Sequence, residues 1–126
     1  MKRAAIKTQG KVKGQDIQAS SKVSLRVAIS QMNSVVGDFK HNANCIKTSL
    51  KEAAKFGVNL ILFPELTLTG YPPEDLLLKD DFIKKNQKTL KNLALGVKEI
   101  VAVVGYVEKV KRNLYNSAAL LYKGKV

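Results

Sequence analysis

Short apolar runs alternate with two segments of helical periodicity, and this alternation restricts the fold more than any other feature. The runs VAISQM (27–32), NLILF (59–63) and IVAVVGYVE (100–108) are apolar and rich in β-branched residues, as buried strands are. A fourth strand is predicted over 116–122, after the polar, hairpin-like connection KVKRN (109–113). The order β-α-β-α-β-β predicts an α/β layered fold with a partly parallel sheet.

The first helical segment carries a start signal and a stop signal. Asp38 is predicted to be its N-cap, and Gly57 stands where a C-terminal cap is expected. Its apolar residues recur at spacings of three and four and therefore form one stripe: Phe39, Ala43, Ile46, Leu50, Ala53 and Ala54.

The second helical segment follows a double turn on Gly70 and Pro72-Pro73. Pro73, Glu74 and Asp75 are typical of a first helical turn, and Asp80 or Asp81 restarts or continues the helix. One side of this helix is predicted to be buried: Phe82, Ile83, Gln87, Leu90, Leu93 and Ala94. The other side is interpreted as a solvated face: Lys84, Lys85, Lys88 and Lys91.

The composition fits one globular domain, with 45% hydrophobic and 25% charged residues among 126. No apolar run approaches the roughly 18 residues of a membrane span, and the start of the chain has no secretory apolar region. Cys45 is the single cysteine, which excludes an intramolecular disulfide framework and favours a reducing compartment. We therefore expect a cytoplasmic protein with no membrane partner.

The formal net charge of +12 is partly concentrated at the start of the chain, where residues 1–24 carry six basic side chains and one acid. We interpret 1–24 as a basic, disordered extension and 25–126 as the folded part. Basic segments also bind nucleic acid through phosphate contacts. In this segment, however, no aromatic residues lie among the basic ones, and no known nucleic-acid-binding motif occurs. A basic nucleic-acid-binding module is therefore kept as an alternative function.

A carboxylate directly follows the second strand in FPELTLTGYPPEDLLL (63–78). Functional groups gather beyond the carboxyl ends of parallel strands, and Glu65 stands at that place. A carboxylate placed there is partly desolvated, which makes it a stronger proton acceptor and suits Glu65 to general-base work, whereas a structural, cap-like role is the alternative. Gly70 is expected to supply a positive φ or a close approach of two backbone segments.

The sequences around Glu65 resemble the carbon-nitrogen hydrolase (nitrilase) superfamily in four segments: FPELTLTGY (63–71), the strand 27–32, the strand 101–105 and LYNSAALLYKGKV (114–126). YPPEDLLL (71–78) and QMNSVVGD (31–38) resemble one branch of it, the glutaminase domain of glutamine-dependent NAD synthetases. The resemblance covers 26–126 and no part of 1–24.

The resemblance implies an α-β-β-α sandwich and a Glu-Lys-Cys triad. In that family the glutamate activates a cysteine thiol, the thiol attacks the side-chain amide of glutamine and expels ammonia, and the lysine stabilises the oxyanion. Glu65 matches the general base, whereas the family's lysine segment, of the type K-x-x-L-P-N-Y, and its later cysteine do not occur in this sequence. We expect the N-terminal half of such a domain, inactive alone, or a subunit of a split hydrolase whose partner carries the C-terminal half.

The resemblance also implies partners and cofactors. Glutamine is the substrate of the family, and family members oligomerise. ATP belongs to a synthetase domain that would follow the glutaminase domain, and no Gly-rich phosphate loop of the Walker type occurs in this sequence. No cofactor is therefore expected in this chain.

Four further side chains are candidates for a role. Tyr71 either lines the glutamine pocket or packs beneath the turn, and Asn116 resembles a recurrent family asparagine with a structural hydrogen-bonding role. Cys45 lies in the first helix, where the family has no nucleophile. His41 and Cys45 share a helix face at i and i+4, but two ligands make a poor metal site, so no metal is expected.

Overall fold

The computed structural model describes residues 23–126, so the predicted extension at 1–24 lies almost entirely outside the described residues. The predicted order of strands and helices is confirmed, with a short 3₁₀ helix added before the second α-helix. The elements are β1 (Val27–Ile29), α1 (Phe39–Lys55), β2 (Leu60–Leu62), the 3₁₀ helix (Glu74–Leu78), α2 (Asp80–Leu95), β3 (Val101–Val110) and β4 (Asn113–Leu121).

The four strands form one mixed sheet in the order β1-β2-β3-β4. β1, β2 and β3 are parallel, and β4 runs antiparallel to β3, which confirms the partly parallel sheet. β1 is shorter than predicted because β2 offers no partner beyond Leu62, whose carbonyl accepts from Ser30 N at 2.8 Å, and Pro64 follows. β3 and β4 are longer than predicted, since Val110 pairs with Asn113 across a two-residue turn.

The caps of α1 are where the sequence places them. Asp38 Oδ1 accepts a hydrogen bond from His41 N at 2.9 Å, and Gly57 has a φ of +63° just beyond the helix end. α2 restarts at Asp80 after Lys79, whose extended backbone separates it from the 3₁₀ helix. Helix ends are thus set by local chemistry.

Both helices cover the same face of the sheet. Ile46 of α1 and Leu93 of α2 pack with Val104 of β3 in one continuous core. Two residues depart from the predicted stripes: Asn86 is fully buried where Gln87 was expected, and Ala54 is exposed. Asn86 is drawn inward because its Nδ2 donates to Val107 O at 2.6 Å.

Within residues 23–126, the other face of the sheet is covered only beyond the carboxyl end of β2, where the backbone of residues 64–66 lies over Gly105 and Leu66 clusters with Val107. The rest of this face has no cover in the same range. Alternate side chains of the strands point to it, and the strand register aligns them into two apolar rows. Ile29 is 76% exposed and Leu120 is 58% exposed. We call this surface the open face, and it comprises Val27, Ile29, Leu60, Leu62, Val101, Val103 and Leu120.

None of the helices in the described part of the chain combines the length and the apolarity that crossing a bilayer requires.

Candidate active site

Glu65 begins a tight loop at the carboxyl end of β2. The loop is held by its own hydrogen bonds: Gly70 N donates to Leu66 O at 2.9 Å, and Thr69 Oγ1 donates to the same carbonyl at 3.1 Å. Thr67 Oγ1 donates to Pro64 O. Thr67 and Thr69 are fully buried, so this loop is packed like core, although it connects a strand to a helix.

Gly105 of β3 forms a notch beneath this loop. A Cβ at position 105 would lie 2.5 Å from both Leu66 N and Pro64 O. Leu68 N donates to Gly105 O at 3.2 Å, so the loop backbone is bonded directly to β3. Only glycine allows this approach, and the approach fixes the height of Glu65 above the sheet.

The loop between β1 and α1 packs against the other side of the Glu65 loop. Gly70 has a φ of +79°, and a Cβ there would lie 2.6 Å from the Val36 backbone, so both properties predicted for this glycine are present. The side chain of Asn42, fully buried on α1, joins the two loops. Its Oδ1 accepts from Val35 N at 2.8 Å, and its Nδ2 donates to Val35 O at 2.8 Å and to Leu68 O at 3.2 Å.

Sequence reasoning missed Asn42 although a signal was present. Asn42 stands three residues after Phe39 and four before Ile46, a position inside the apolar stripe of α1. A polar side chain on a buried stripe needs hydrogen-bond partners, and loop backbones at the helix start are the ones within reach. A polar residue at an apolar position of α1 therefore indicated that Asn42 holds neighbouring loops in place.

The structure brings Glu65 together with Asn116. Asn116 Nδ2 donates to Glu65 Oε1, across 51 residues of sequence. Asn116 lies opposite Val107 in the β3-β4 register, and its side chain points to the same side as the open face. Glu65 therefore stands at the end of the open face, with one carboxylate oxygen held by an amide.

The expectation that Glu65 is partly desolvated is wrong for the described residues, because its side chain is exposed. The loop backbone beneath it is buried, but the open face beside it is uncovered. Desolvation of this carboxylate requires a further layer on that side of the sheet.

Tyr71 is 65% exposed and its hydroxyl makes no hydrogen bond to a residue in the described range. It lies directly after the Glu65 loop, before a cis Tyr71–Pro72 bond. Residues 23–126 therefore leave most of its ring uncovered.

Cys45 and His41 lie on α1, and neither makes a hydrogen bond to the Glu65 side chain in the described residues. Cys45 Sγ is 3.5 Å from His41 Nε2 on a solvent-accessible side of the helix. Within residues 23–126, no three side chains of the His, Cys, Asp or Glu type gather as metal ligands.

The model of the carbon-nitrogen hydrolase family matches residues 26–126, which is most of the chain and the whole of the sheet-and-helix unit. The chain belongs to the carbon-nitrogen hydrolase family. Its match includes the Glu65 loop, the Gly105 notch and Asn116.

Two relatives within this family are glutamine-dependent NAD(+) synthetases. The protein of Xylella fastidiosa is 39% identical over 103 residues, which are 81% of this chain and 19% of that protein. The protein of Acinetobacter baylyi is 39% identical over 104 residues, 82% of this chain and 19% of that protein. The chain thus spans about a fifth of the length of these carbon-nitrogen hydrolase relatives.

Solved structures show the same architecture. Glutamine-dependent NAD+ synthetase from Acinetobacter baumannii, determined with ADP, superposes with a TM-score of 0.76 at 37% identity, covering 81% of this chain and 19% of that one. An amidase from Nesterenkonia sp. superposes with a TM-score of 0.64 at 24% identity, covering 77% of this chain and 39% of that one, and shows the fold. The described residues are therefore part of a nitrilase-like fold.

Proposed function

We propose that residues 25–126 are the N-terminal part of a glutaminase domain that hydrolyses the side-chain amide of glutamine and supplies ammonia for NAD synthesis. Glu65 is the general base of this site. The observation that carries the proposal is the placement of Glu65 at the carboxyl end of β2, on a loop fixed by the Gly105 notch and oriented by Asn116.

In this reaction Glu65 accepts the proton of a cysteine thiol, and the thiolate sulfur attacks the amide carbon of glutamine. The resulting oxyanion is stabilised by a lysine, and the proton held on Glu65 passes to the leaving nitrogen as the C–N bond breaks. Water, deprotonated by Glu65, then cleaves the thioester to glutamate. Of these groups the sequence matches Glu65; its one cysteine, Cys45, lies on α1 in contact with His41, and the family's lysine segment does not occur in it.

The open face supports the same proposal. A sandwich needs a second sheet against the first, and the two apolar rows beside Glu65 are the surface on which it packs. That sheet desolvates Glu65 and brings the cysteine and lysine to it. The second sheet comes either from the same polypeptide or from a partner subunit.

A chimera tests the assignment of Glu65. Residues 26–126 replace the matching segment of the Xylella fastidiosa NAD(+) synthetase, and release of ammonia from glutamine is measured. We expect hydrolysis by the chimera and a loss of at least about 100-fold in Glu65→Gln, since removing a general base costs about 10²–10⁴-fold. Hydrolysis that persists undiminished in Glu65→Gln contradicts the proposal.

The chain by itself gives a second test. Because its sequence holds no cysteine other than Cys45, we expect no ammonia release from glutamine above a control without protein. Ammonia release by the chain alone that disappears in Glu65→Gln would show that the site is complete without further residues.

A further inference from the structure

An apolar groove runs between the C-terminal halves of α1 and α2, far from the Glu65 loop. Its volume is about 430 Å³, and Leu50 and Ala54 of α1 face Leu93 and Val97 across it. Ile100, just before β3, closes one end, so the groove lies at the amino ends of the parallel strands. Glu65 follows the carboxyl end of β2.

The groove extends the apolar stripe of α1 past the core. Ile46 on this stripe is fully buried, Leu50 is half-buried and Ala54 is exposed. Ala53 in the same turn is buried in the core, so Leu50 and Ala54 are the stripe residues at this end of α1 that the described residues leave partly or fully uncovered. The apolar surface of the groove is therefore not covered by residues 23–126.

The rim of the groove is basic. Lys47 and Lys51 of α1 and Lys98 beyond α2 line it, and Glu99 is the one acid among the lining residues. Three lysines elsewhere in the described residues, Lys55, Lys84 and Lys109, form ion pairs, Lys109 with Asp80 at 2.6 Å. No described carboxylate lies within ion-pair distance of the three rim lysines.

We propose that this groove binds an acidic amphipathic helix of a partner protein. The α1 wall runs for the eight residues from Lys47 to Ala54, whose seven helical rises span about 10 Å, which matches two helical turns of an occupant. Apolar side chains at i, i+3 or i+4, and i+7 enter the groove, and flanking carboxylates meet the rim lysines.

The charge of the chain selects this occupant over two others. Residues 1–24 carry six basic side chains and one acid, so the chain's own N-terminal segment does not complement a basic rim. A second copy carries the same formal charge of +12 and is repelled. An acidic partner is favoured on both counts.

The test uses the full chain, labelled with ¹⁵N, and a synthetic peptide of about 15 residues rich in Glu, with Leu at i, i+4 and i+7. We expect amide shifts at Leu50, Ala54 and Val97, and affinity that falls as salt is added. A peptide of equal charge with Ser in place of Leu leaves these amides unmoved.

Two variants of equal charge change separate groove binding from general attraction. Lys51→Glu on the rim lowers the affinity by about tenfold, whereas Lys88→Glu, exposed on the outer side of α2, lowers it by less than about twofold. Ala54→Glu, at an exposed position that the fold tolerates, abolishes the shifts.

Three results would overturn the proposal. These are equal losses in Lys51→Glu and Lys88→Glu, peptide-induced shifts at Ile29 and Leu120 of the open face instead of the groove, and groove shifts caused by anionic phospholipid vesicles but not by the peptide. The glutaminase chimera is independent of all three.

Discussion

Replacing Gly105 by alanine tests whether the notch in β3 sets the position of Glu65. The new Cβ would lie 2.5 Å from Leu66 N and Pro64 O, whereas ordinary contacts begin at 3.4 Å. Both neighbours are backbone atoms, so the loop itself has to retreat by about 0.9 Å, the difference between these distances. The hydrogen bond from Leu68 N to Gly105 O weakens at the same time.

Two magnitudes follow from this displacement. Overpacking of a close-packed site costs about 1–3 kcal/mol, and we expect the free energy of unfolding to fall by that amount. A shift of about 1 Å in a catalytic group costs about 100-fold in rate, and we expect that loss in the glutamine-dependent activity of the chimera. Urea unfolding followed by circular dichroism measures the first, and ammonia release measures the second.

Gly96→Ala is the matched control. A Cβ at position 96 meets Leu93 O at 3.5 Å, and the φ of Gly96 is −85°, so alanine fits without strain. Its effect on the free energy of unfolding should stay within about 0.5 kcal/mol. If Gly105→Ala proves as mild as Gly96→Ala in both assays, the notch does not position Glu65.

Three further predictions concern the site, the sheet and pH. Asn116→Ala removes the hydrogen bond to one oxygen of Glu65, and we expect kcat of the chimera to fall by about tenfold or more with KM for glutamine little changed. A general loss of fold would also lower ammonia-dependent NAD formation, so that activity is the control. The chain alone should bind an apolar fluorescent dye through the open face, and Ile29→Ser should reduce the signal; low dye binding by a cooperatively unfolding monomer would contradict an uncovered sheet. The hydrogen bond and charge of Lys109 hold the pKa of Asp80 below its ordinary value, so this pair stabilises the fold above that value and its contribution is lost as pH falls through the folded-state pKa. The stability difference between wild type and Asp80→Asn should therefore shrink as the pH falls below about 5, and a constant difference would refute the linkage.

Local chemistry made much of the fold predictable. Asp38 caps α1 and Pro64 ends the sheet region after β2 because a side-chain oxygen and a missing N–H act within a few residues. The period of apolar residues predicted most of the buried side of each helix. The place of Glu65 beyond β2 follows from the same local signals.

The surroundings of Glu65 depend on contacts between distant residues and were less predictable. Asn116 reaches Glu65 because the two-residue turn between β3 and β4 sets their register, whereas the sequence suggested a longer connection at 109–113. Gly105 within an apolar strand was a readable signal of close backbone approach, but its neighbour, the Glu65 loop, is 40 residues earlier in the chain. Glu65 is exposed because no described layer covers the open face beside it. Local sequence signals do not show which layers pack on a sheet.

The central claim is that Glu65 is the base of a glutamine-hydrolysing site. Its most direct test compares NAD formation from glutamine with NAD formation from added ammonium in the chimera carrying Glu65→Gln. We expect the glutamine-driven rate to fall by at least about 100-fold while the ammonium-driven rate is preserved, because only the supply of ammonia needs the base. Equal rates from glutamine with and without the substitution would contradict it.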